Sequence, residues 1–331
     1  MQDAAVSVII VNYNAGASLA RCLAHLSRQT DRNFSVTVVD NASTDDSIEC
    51  AKASPQPFML IEAGENIGFA AANNLAARKA TGKWLAFLNP DAYPADDWLA
   101  AFRVGAEKYP WADAFGSLQI MADAPEVIDG VGDVCSAFGI TYRGAYGQPV
   151  SSAPGDGECF SPCAAAAFYR RETFVALGGF EERFFCYGED VDLGFRLRLR
   201  GGRAVQLADA HVLHEGSGVT GRRSDFTVYH GARNRIWLLY KNTPPALYGL
   251  TAPVRILGEA LLAAKALQTG TFPAYWRGVR DGYGGRKQFA EERRKTAAES
   301  ALGARAVAGL FAWSPLAVLQ RRAVLWPLHR P

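Results

Sequence analysis

The chain offers no ready-made phosphate cradle. There is no G-x-x-x-x-G-K-[ST], and no G-x-G-x-x-G follows the first apolar run, which excludes a P-loop and the usual dinucleotide-binding turn. The six cysteines (22, 50, 135, 159, 163, 186) form no C-x-x-C, and Cys159 with Cys163 lack a second pair at zinc-ligand spacing. They read as reduced, mostly buried thiols of a cytosolic protein. No apolar window reaches the roughly 20 residues of a membrane span, because Arg255, Glu259 and Lys265 interrupt the best candidate. The N-terminus places Asp3 before a short apolar run, which does not read as a secretory signal. Excess charge is missing too, since a net +2 gives no argument for a nucleic-acid partner.

What is there is a chain of 331 residues, nearly half of them hydrophobic, enough for one large core or a core with a smaller appendage. Its charge is uneven. Residues 270–331 carry eleven Lys and Arg against four acids, so a mildly acidic body bears a basic tail that suits an anionic membrane surface.

Residues 6–11 (VSVIIV) form a β-branched run, the mark of a strand covered on both faces. Asn12-Tyr13-Asn14 breaks it, and Leu19, Cys22, Leu23 and Leu26 recur at helical spacing. Residues 34–39 make the next strand, ending in the short polar run Asp40–Asp45, and 58–61 a third. Asn66-Ile67-Gly68 opens a helix predicted to run to Ala80 and to close on Gly82 as a left-handed cap. Strands alternating with helices predict an α/β fold with a mostly parallel sheet. In such a sheet the loops at Asn12–Asn14, Asp40–Asp45 and Asn89–Asp91 lie on one edge and converge on one ligand.

The organising stretch is residues 83–97, KWLAFLNPDAYPADD. A buried strand over 84–88 runs into Asn89-Pro90-Asp91, where Pro90 ends the ladder and leaves Asp91 at the sheet edge to take a hard cation. Residues 112–150 read as short strands and Gly turns forming a hairpin and a loop over the site, and 159–170 as one further strand. Glu189 and Asp190 fall in the first turn of a helix over 189–199, where the dipole favours ionised acids. Phe184, Phe185 and Tyr187 just before them suggest an apolar wall, and Asp192 reads as structural or exposed. A strand over 203–212 leads to His211 and His214, of which His214, at the strand exit before a Gly-Ser loop, is the better metal-ligand candidate.

With these residues in hand the chain resembles the family 2 glycosyltransferases of the GT-A type, and within them the rhamnosyltransferase-like members. The resemblance rests on VSVIIVNYN, VVDNASTDDS (38–47), ENIGFAAANN (65–74), WLAFLNPDA (84–92), GGFEERFFCYGEDVDLGFRLRLRGG (178–202), HVLHEGSG (211–218) and YHGARNRI (229–236), in order over roughly the first 240 residues. It implies a GT-A (Rossmann-like) catalytic domain over 1–243, followed by a helical C-terminal extension over 244–331. It also implies metal-dependent, inverting transfer of a sugar from a nucleotide diphosphate to a hydroxyl of a glycan or lipid-linked acceptor, in cell-surface polysaccharide synthesis. Carried onto this sequence, Asp40 matches an acid that contacts the base or ribose, and Asp91 the last acid of the D-x-D metal motif. Asp190, beside Glu189, matches the catalytic base, and His214 a further ligand for Mg²⁺ or Mn²⁺. Asn12, Asn66 and Asn73 fall in donor-pocket segments, and Arg233 with Asn234 in a segment near the diphosphate or acceptor. Asn89 stands where the general motif has its first Asp, which removes one charge from the cation site. The Asn-Pro-Asp wording points to dTDP-L-rhamnose as donor, ahead of UDP-hexoses.

The tail divides into an amphipathic segment at 252–267, a glycine-broken stretch at 278–285, and an apolar stretch at 304–326 interrupted by Pro315 and Arg321-Arg322. It reads as a helical arm packed on the body or on the second subunit of a homodimer, or as an interfacial anchor on the inner face of the cytoplasmic membrane. A sugar nucleotidyltransferase would need a Gly-rich, basic loop after the first strand, and VNYNAG offers neither. A non-catalytic glycan-binding protein would not need Asp40, Asp91, Asp190 and His214 together.

Overall fold

The computed structural model describes residues 5–216 and 224–328. Val6–Asn12 (β1) is buried along its whole length. Its side chains alternate between two cores: Val6, Val8 and Ile10 join one, Ile9 and Val11 the other. That period of two, apolar on both sides, is what a strand covered on both faces requires.

β1 pairs in parallel with Phe34–Asp40 (β2) and with Trp84–Leu88 (β4), and Met59–Glu62 (β3) extends the sheet beyond β2. Helices Ala17–Leu26 (α1), Ser47–Lys52 (α2) and Gly68–Ala77 (α3) connect them. Asn12 and Asp40 are register partners at the strand ends, so the loops after β1, β2 and β4 share one edge.

The second half turns the sheet mixed. Ala92–Pro94 (β5) and Trp98–Lys108 (α4) lead into Ala114–Met121 (β6), which returns as the hairpin strand Ala124–Gly130 (β7). Asp133–Cys135 (β8) and Thr141–Arg143 (β9) form a separate two-stranded ribbon. Gly157–Cys159 (β10), Ala166–Arg170 (β11) and Ala204–His214 (β12) complete the large sheet, in the order β10-β12-β6-β11-β4-β1-β2-β3. β11 is antiparallel to both β4 and β6. The loop before it is therefore delivered to the edge where Asn89 sits, and the Asn89 amide donates to the Ala165 carbonyl at 2.9 Å. Arg171–Ala176 (α5) and Glu189–Leu199 (α6) lie between β11 and β12.

After Asp225–Asn242 (α7) come Pro245–Leu250 (α8), Ala252–Gln268 (α9), Phe272–Gly285 (α10), Ala290–Glu299 (α11), Ala304–Gly309 (α12) and Pro315–Leu319 (α13). A third core joins Phe160, Phe184 and Phe195 of the body to Trp237, Phe289 and Phe311. Trp326 closes a strand-like bridge to Glu158.

Several expectations are corrected. The helix from Gly68 ends at Ala77, and Gly82 is not left-handed; its amide donates to the Ser7 hydroxyl at 3.1 Å instead. Residues 159–170 are two strands rather than one, because the chain leaves the sheet between Cys159 and Ala166. Residues 114–121 form a full central strand, not a loop over the site. The glycines at 278–285 do not break a helix: α10 runs through them, with Gly278 against the Tyr229 carbonyl and Ala232, and Gly282 against Arg233 and Ile236. Close approach to α7 outweighs their poor helix propensity. Residues 304–326 hold only two short helices.

Candidate active site

A cavity of about 670 Å³ opens at the edge where the strand-end loops meet. Six of the residues singled out in the sequence line it: Asn66, Asn89, Asp91, Glu189, Asp190 and His214. Asn12, Asp40, Asn73 and Arg233 do not.

Asn12 is fully buried. Its amide donates to Asp40 Oδ1 (3.1 Å), Ser43 Oγ (2.9 Å) and Ser47 Oγ (2.8 Å), which folds the loop after β2 back onto β1. Asp40 Oδ2 accepts from the Ser43 amide at 3.3 Å. The neighbouring Asn41 reaches the cavity in its place: its amide donates to Asn66 Oδ1 at 2.8 Å, and its Oδ1 accepts from the Ile67 amide at 2.9 Å. Asn73 donates to the Phe69 carbonyl within its own helix.

β5 pairs with β12 so that Ala92 lies opposite His214, which sets Asp91 beside the histidine. Asp91 Oδ1 is 3.4 Å from His214 Nε2, and both side chains are largely buried. On the other ring nitrogen, Nδ1 is 2.7 Å from Asp129 Oδ2. Arg143 also pairs with Asp129 and lies 3.4 Å from the same ring nitrogen. Burial alone would lower the imidazole pKa, but the carboxylates of Asp129 and Asp91 overcome it and carry it up to about 9. Ser217 and Gly218, the rest of the predicted Gly-Ser loop, lie outside the described residues.

On the same cavity, Asp190 stands in the first turn of α6. Its Oδ1 accepts from the Val191 amide at 2.8 Å and its Oδ2 from the Ala164 amide at 3.1 Å, so the loop before β11 holds it. Withdrawal from bulk water raises its pKa, and these amides only partly oppose the rise. The helix start therefore does not leave Asp190 as readily ionised as its position alone suggests. Glu189 is buried, with Oε2 lacking a hydrogen-bond partner, and burial together with the Asp190 charge pushes its pKa well above the usual range. Asp133 is raised in the same way, by burial first and then by Asp190.

The apolar wall before the acids is strained. Phe185 and Tyr187 both have positive φ (66° and 73°), a costly conformation for bulky residues. Asn234 holds it, donating from Nδ2 to the carbonyls of Phe184 (2.9 Å), Cys186 (2.8 Å) and Tyr187 (2.7 Å). Arg233 adds a bond to the Phe184 carbonyl at 3.0 Å, so its guanidinium supports this loop from outside the cavity. Gly68, at φ 84°, lies against Phe185 so closely that a Cβ would come within 2.5 Å of its ring.

The sequence reading missed Asp129, Asp133 and Arg143. The segment that holds them, residues 128–143, reads as glycine-rich turns, and nothing local shows that it is carried to the cavity. Asn41 could have been found, since it follows Asp40 in the same polar loop.

The donors themselves test whether a divalent cation suits the site. Asp91 and His214 offer an oxygen and an imidazole nitrogen side by side, Asn89 Oδ1 is buried with no hydrogen-bond partner, and Asp129 orients the imidazole from behind. That set fits Mg²⁺ or Mn²⁺ with a carboxylate-backed histidine.

Fold and site together define a GT-A-type glycosyltransferase. Solved structures share the fold: GalNAc-T7 with UDP, GalNAc and Mn²⁺ (TM-score 0.58, 16% identity, 72% of this chain and 48% of that one). The mannosyltransferase PcManGT from Pyrobaculum calidifontis, in complex with GDP-Man and Mn²⁺, matches at TM-score 0.54 and 20% identity over 90% and 88% of the two chains. Residues 7–119 match the family model described as Glycosyl transferase family 2. An N-acetylglucosaminyl-diphospho-decaprenol L-rhamnosyltransferase of Mycobacterium tuberculosis is 32% identical over 244 residues, 65% of this chain and 77% of the relative. The O-antigen biosynthesis protein RfbC of Myxococcus xanthus is 30% identical over 66% of this chain, but over only 18% of its own length. The chain belongs to glycosyltransferase family 2 and is rhamnosyltransferase-like.

Proposed function

We propose that this enzyme transfers L-rhamnose from dTDP-L-rhamnose, with inversion, to a hydroxyl of a lipid-linked or glycan acceptor. The observation that carries the reading is the convergence of Asp91, His214 and Asp190 on one cavity. The nucleotide diphosphate departs as a polyanion, and Asp91 and His214 would hold a divalent cation that neutralises it. Inversion calls for a base on the face opposite the leaving group. Asp190 takes the acceptor hydroxyl proton as the new C1–O bond forms. Glu189 beside it is buried, and burial together with the Asp190 charge pushes its pKa up. The strained Phe185–Gly188 wall supplies an apolar surface beside the reacting centre.

Sugar and base are assigned through the rhamnosyltransferase relative and the Asn89-Pro90-Asp91 wording. Thymine differs from uracil by one methyl, worth about 1–3 kcal/mol at most in a pocket, so the base preference need not be strict. The test is turnover of dTDP-rhamnose, UDP-glucose and UDP-galactose competing at equal concentration, with a polyprenyl-diphosphate-linked GlcNAc as acceptor and Mn²⁺ or Mg²⁺ present. Preferential use of dTDP-rhamnose supports the proposal. Preference for a UDP-hexose overturns the sugar assignment and leaves the transferase standing.

A further inference from the structure

α9 is amphipathic the wrong way round for a helix on a soluble body. Its buried positions are the small residues Gly258 and Ala266, with Gly258 lying against the Phe138 carbonyl. Val254 and Leu262 pack inward, but its other large apolar side chains point outward: Ile256 is 68% exposed, Leu257 52%, Leu261 50% and Leu267 62%, with Leu250 of α8 at 76% just before them. Pro253, Ala260 and Ala264 are the exposed positions between them, so the apolar stripe runs unbroken along the helix until Lys265. Scattered surface leucines need no explanation, but a continuous stripe that leaves this much apolar area in water does.

α10 lies beside it, joined through residues 269–271, with the Tyr275 hydroxyl bonded to Glu259 at 2.5 Å. The outward face of α10 and the turn after it is Trp276, Arg280, Tyr283 and Lys287, an aromatic and basic stripe at i, i+4, i+7 and i+11. Arg277 is exposed next to it. Across α9, α10 and that turn no acid is exposed. The two acids, Glu259 and Asp281, are half-buried and bonded to Arg235 and Tyr275, and to Tyr229 and Arg280. An apolar stripe flanked by Trp, Tyr, Arg and Lys is the composition that partitions into a lipid headgroup region.

We infer that the outer face of the α9–α10 hairpin seats the enzyme on an anionic lipid bilayer. Charge selects the occupant. A second copy docked by this face about a two-fold axis would set Arg277 and Lys287 against their own copies, whereas anionic headgroups neutralise them. Position agrees. α10 packs on α7, whose first turns contribute Ser224 and Phe226 to the cavity and Tyr229 to the bond with Asp281. No helix among the described residues is long and apolar enough to cross a membrane, so this face would hold the chain at the surface rather than through it.

The experiment is co-sedimentation of the full chain with vesicles of phosphatidylglycerol and phosphatidylcholine, and of phosphatidylcholine alone, without donor or acceptor. Binding is therefore read independently of the rhamnose assignment. Binding to the anionic vesicles, weakened by added salt, is expected. Leu257→Gln with Leu261→Gln should cut it by about ten-fold or more, the loss set by the apolar area those leucines bury. Arg277→Gln with Lys287→Gln should weaken binding to the anionic vesicles selectively. All four positions are exposed, so circular dichroism and the thermal midpoint should match the parent. Absence of binding to anionic vesicles, or binding unchanged in both double variants, overturns the inference. So does a dimer in sedimentation velocity that the leucine variant dissociates while vesicles go unbound.

Discussion

Asp190 and Glu189 are neighbours with different surroundings, and their chemistry divides accordingly. Asp190 accepts two backbone amides and faces the cavity, while Glu189 is buried with an orphaned oxygen. Asp190→Asn should leave donor affinity nearly intact and cut turnover by about 10²–10⁴-fold, the range of a lost general base. Glu189→Gln should cost less, and reversed severities in steady-state kinetics would move the base to Glu189. Because the base works ionised and burial raises its pKa, kcat/KM should climb with pH through a value above the ordinary aspartate pKa of about 3.9. An acid limb at or below that value would contradict the assignment. Asp91→Ala should abolish metal-dependent nucleotide diphosphate binding, since Asn89 beside it has no charge to substitute. Titration calorimetry with and without Mn²⁺ reads this directly, and undiminished metal-dependent affinity would remove Asp91 from the cation site.

α6 and α7 are locked by a buried polar node. Asp192 accepts from Lys241 Nζ (2.9 Å), Arg196 Nε (2.8 Å) and Asn242 Nδ2 (2.7 Å). Burial would raise its pKa, but Lys241 and Arg196 win and hold it down at about 2. The folded pKa is thus depressed, so the node's stabilisation is complete above the unfolded value of about 3.9 and fades as pH falls through about 2. Asp192→Ala leaves Lys241 with Glu181 as its remaining carboxylate at 3.1 Å, so denaturant unfolding near neutral pH should show a loss below the roughly 3–5 kcal/mol of a fully unpaired buried charge. The deficit should shrink on acidification. On the other side of α7, Asn234 holds three carbonyls of the Phe184–Tyr187 loop. Asn234→Ala should release that positive-φ loop and lower turnover with Asp190 still in place. Unchanged activity would mean that the loop's shape does not matter to the reaction.

At the scale of the whole molecule, packing runs across the sequence boundary near residue 243. The third core mixes body residues such as Phe184 and Phe195 with Phe289 and Phe311, and Trp326 bridges to Glu158 at the sheet edge. Body and C-terminal helices should therefore unfold together, in a single calorimetric transition. Removing residues 244–331 would expose Trp237, Leu238 and Leu239 and leave a chain prone to aggregation. Two well-separated transitions, or a stable truncated body, would show two independent units.

The sequence by itself determined the first half of the fold and the line of the site. β-Branched runs with both faces apolar, each ending in a short polar loop, admit little but parallel strands whose ends share an edge. Asn66, Asn89, Asp91, Glu189, Asp190 and His214 could be named because each sits where a strand or helix visibly begins or ends. Only the tertiary structure decided which of the polar residues line the cavity. Asn12 and Asp40 pair with each other across two strands instead of pointing into the cavity, an outcome fixed by register rather than by residue type. Asp129, Asp133 and Arg143 arrive from a glycine-rich segment whose course depends on long-range pairing of β6 with β12. The helix through Gly278 and Gly282, and the outward turn of the large side chains of α9, were hidden for the same reason: close approach to a partner rewards small residues on the inner face, and no local pattern records where that partner lies.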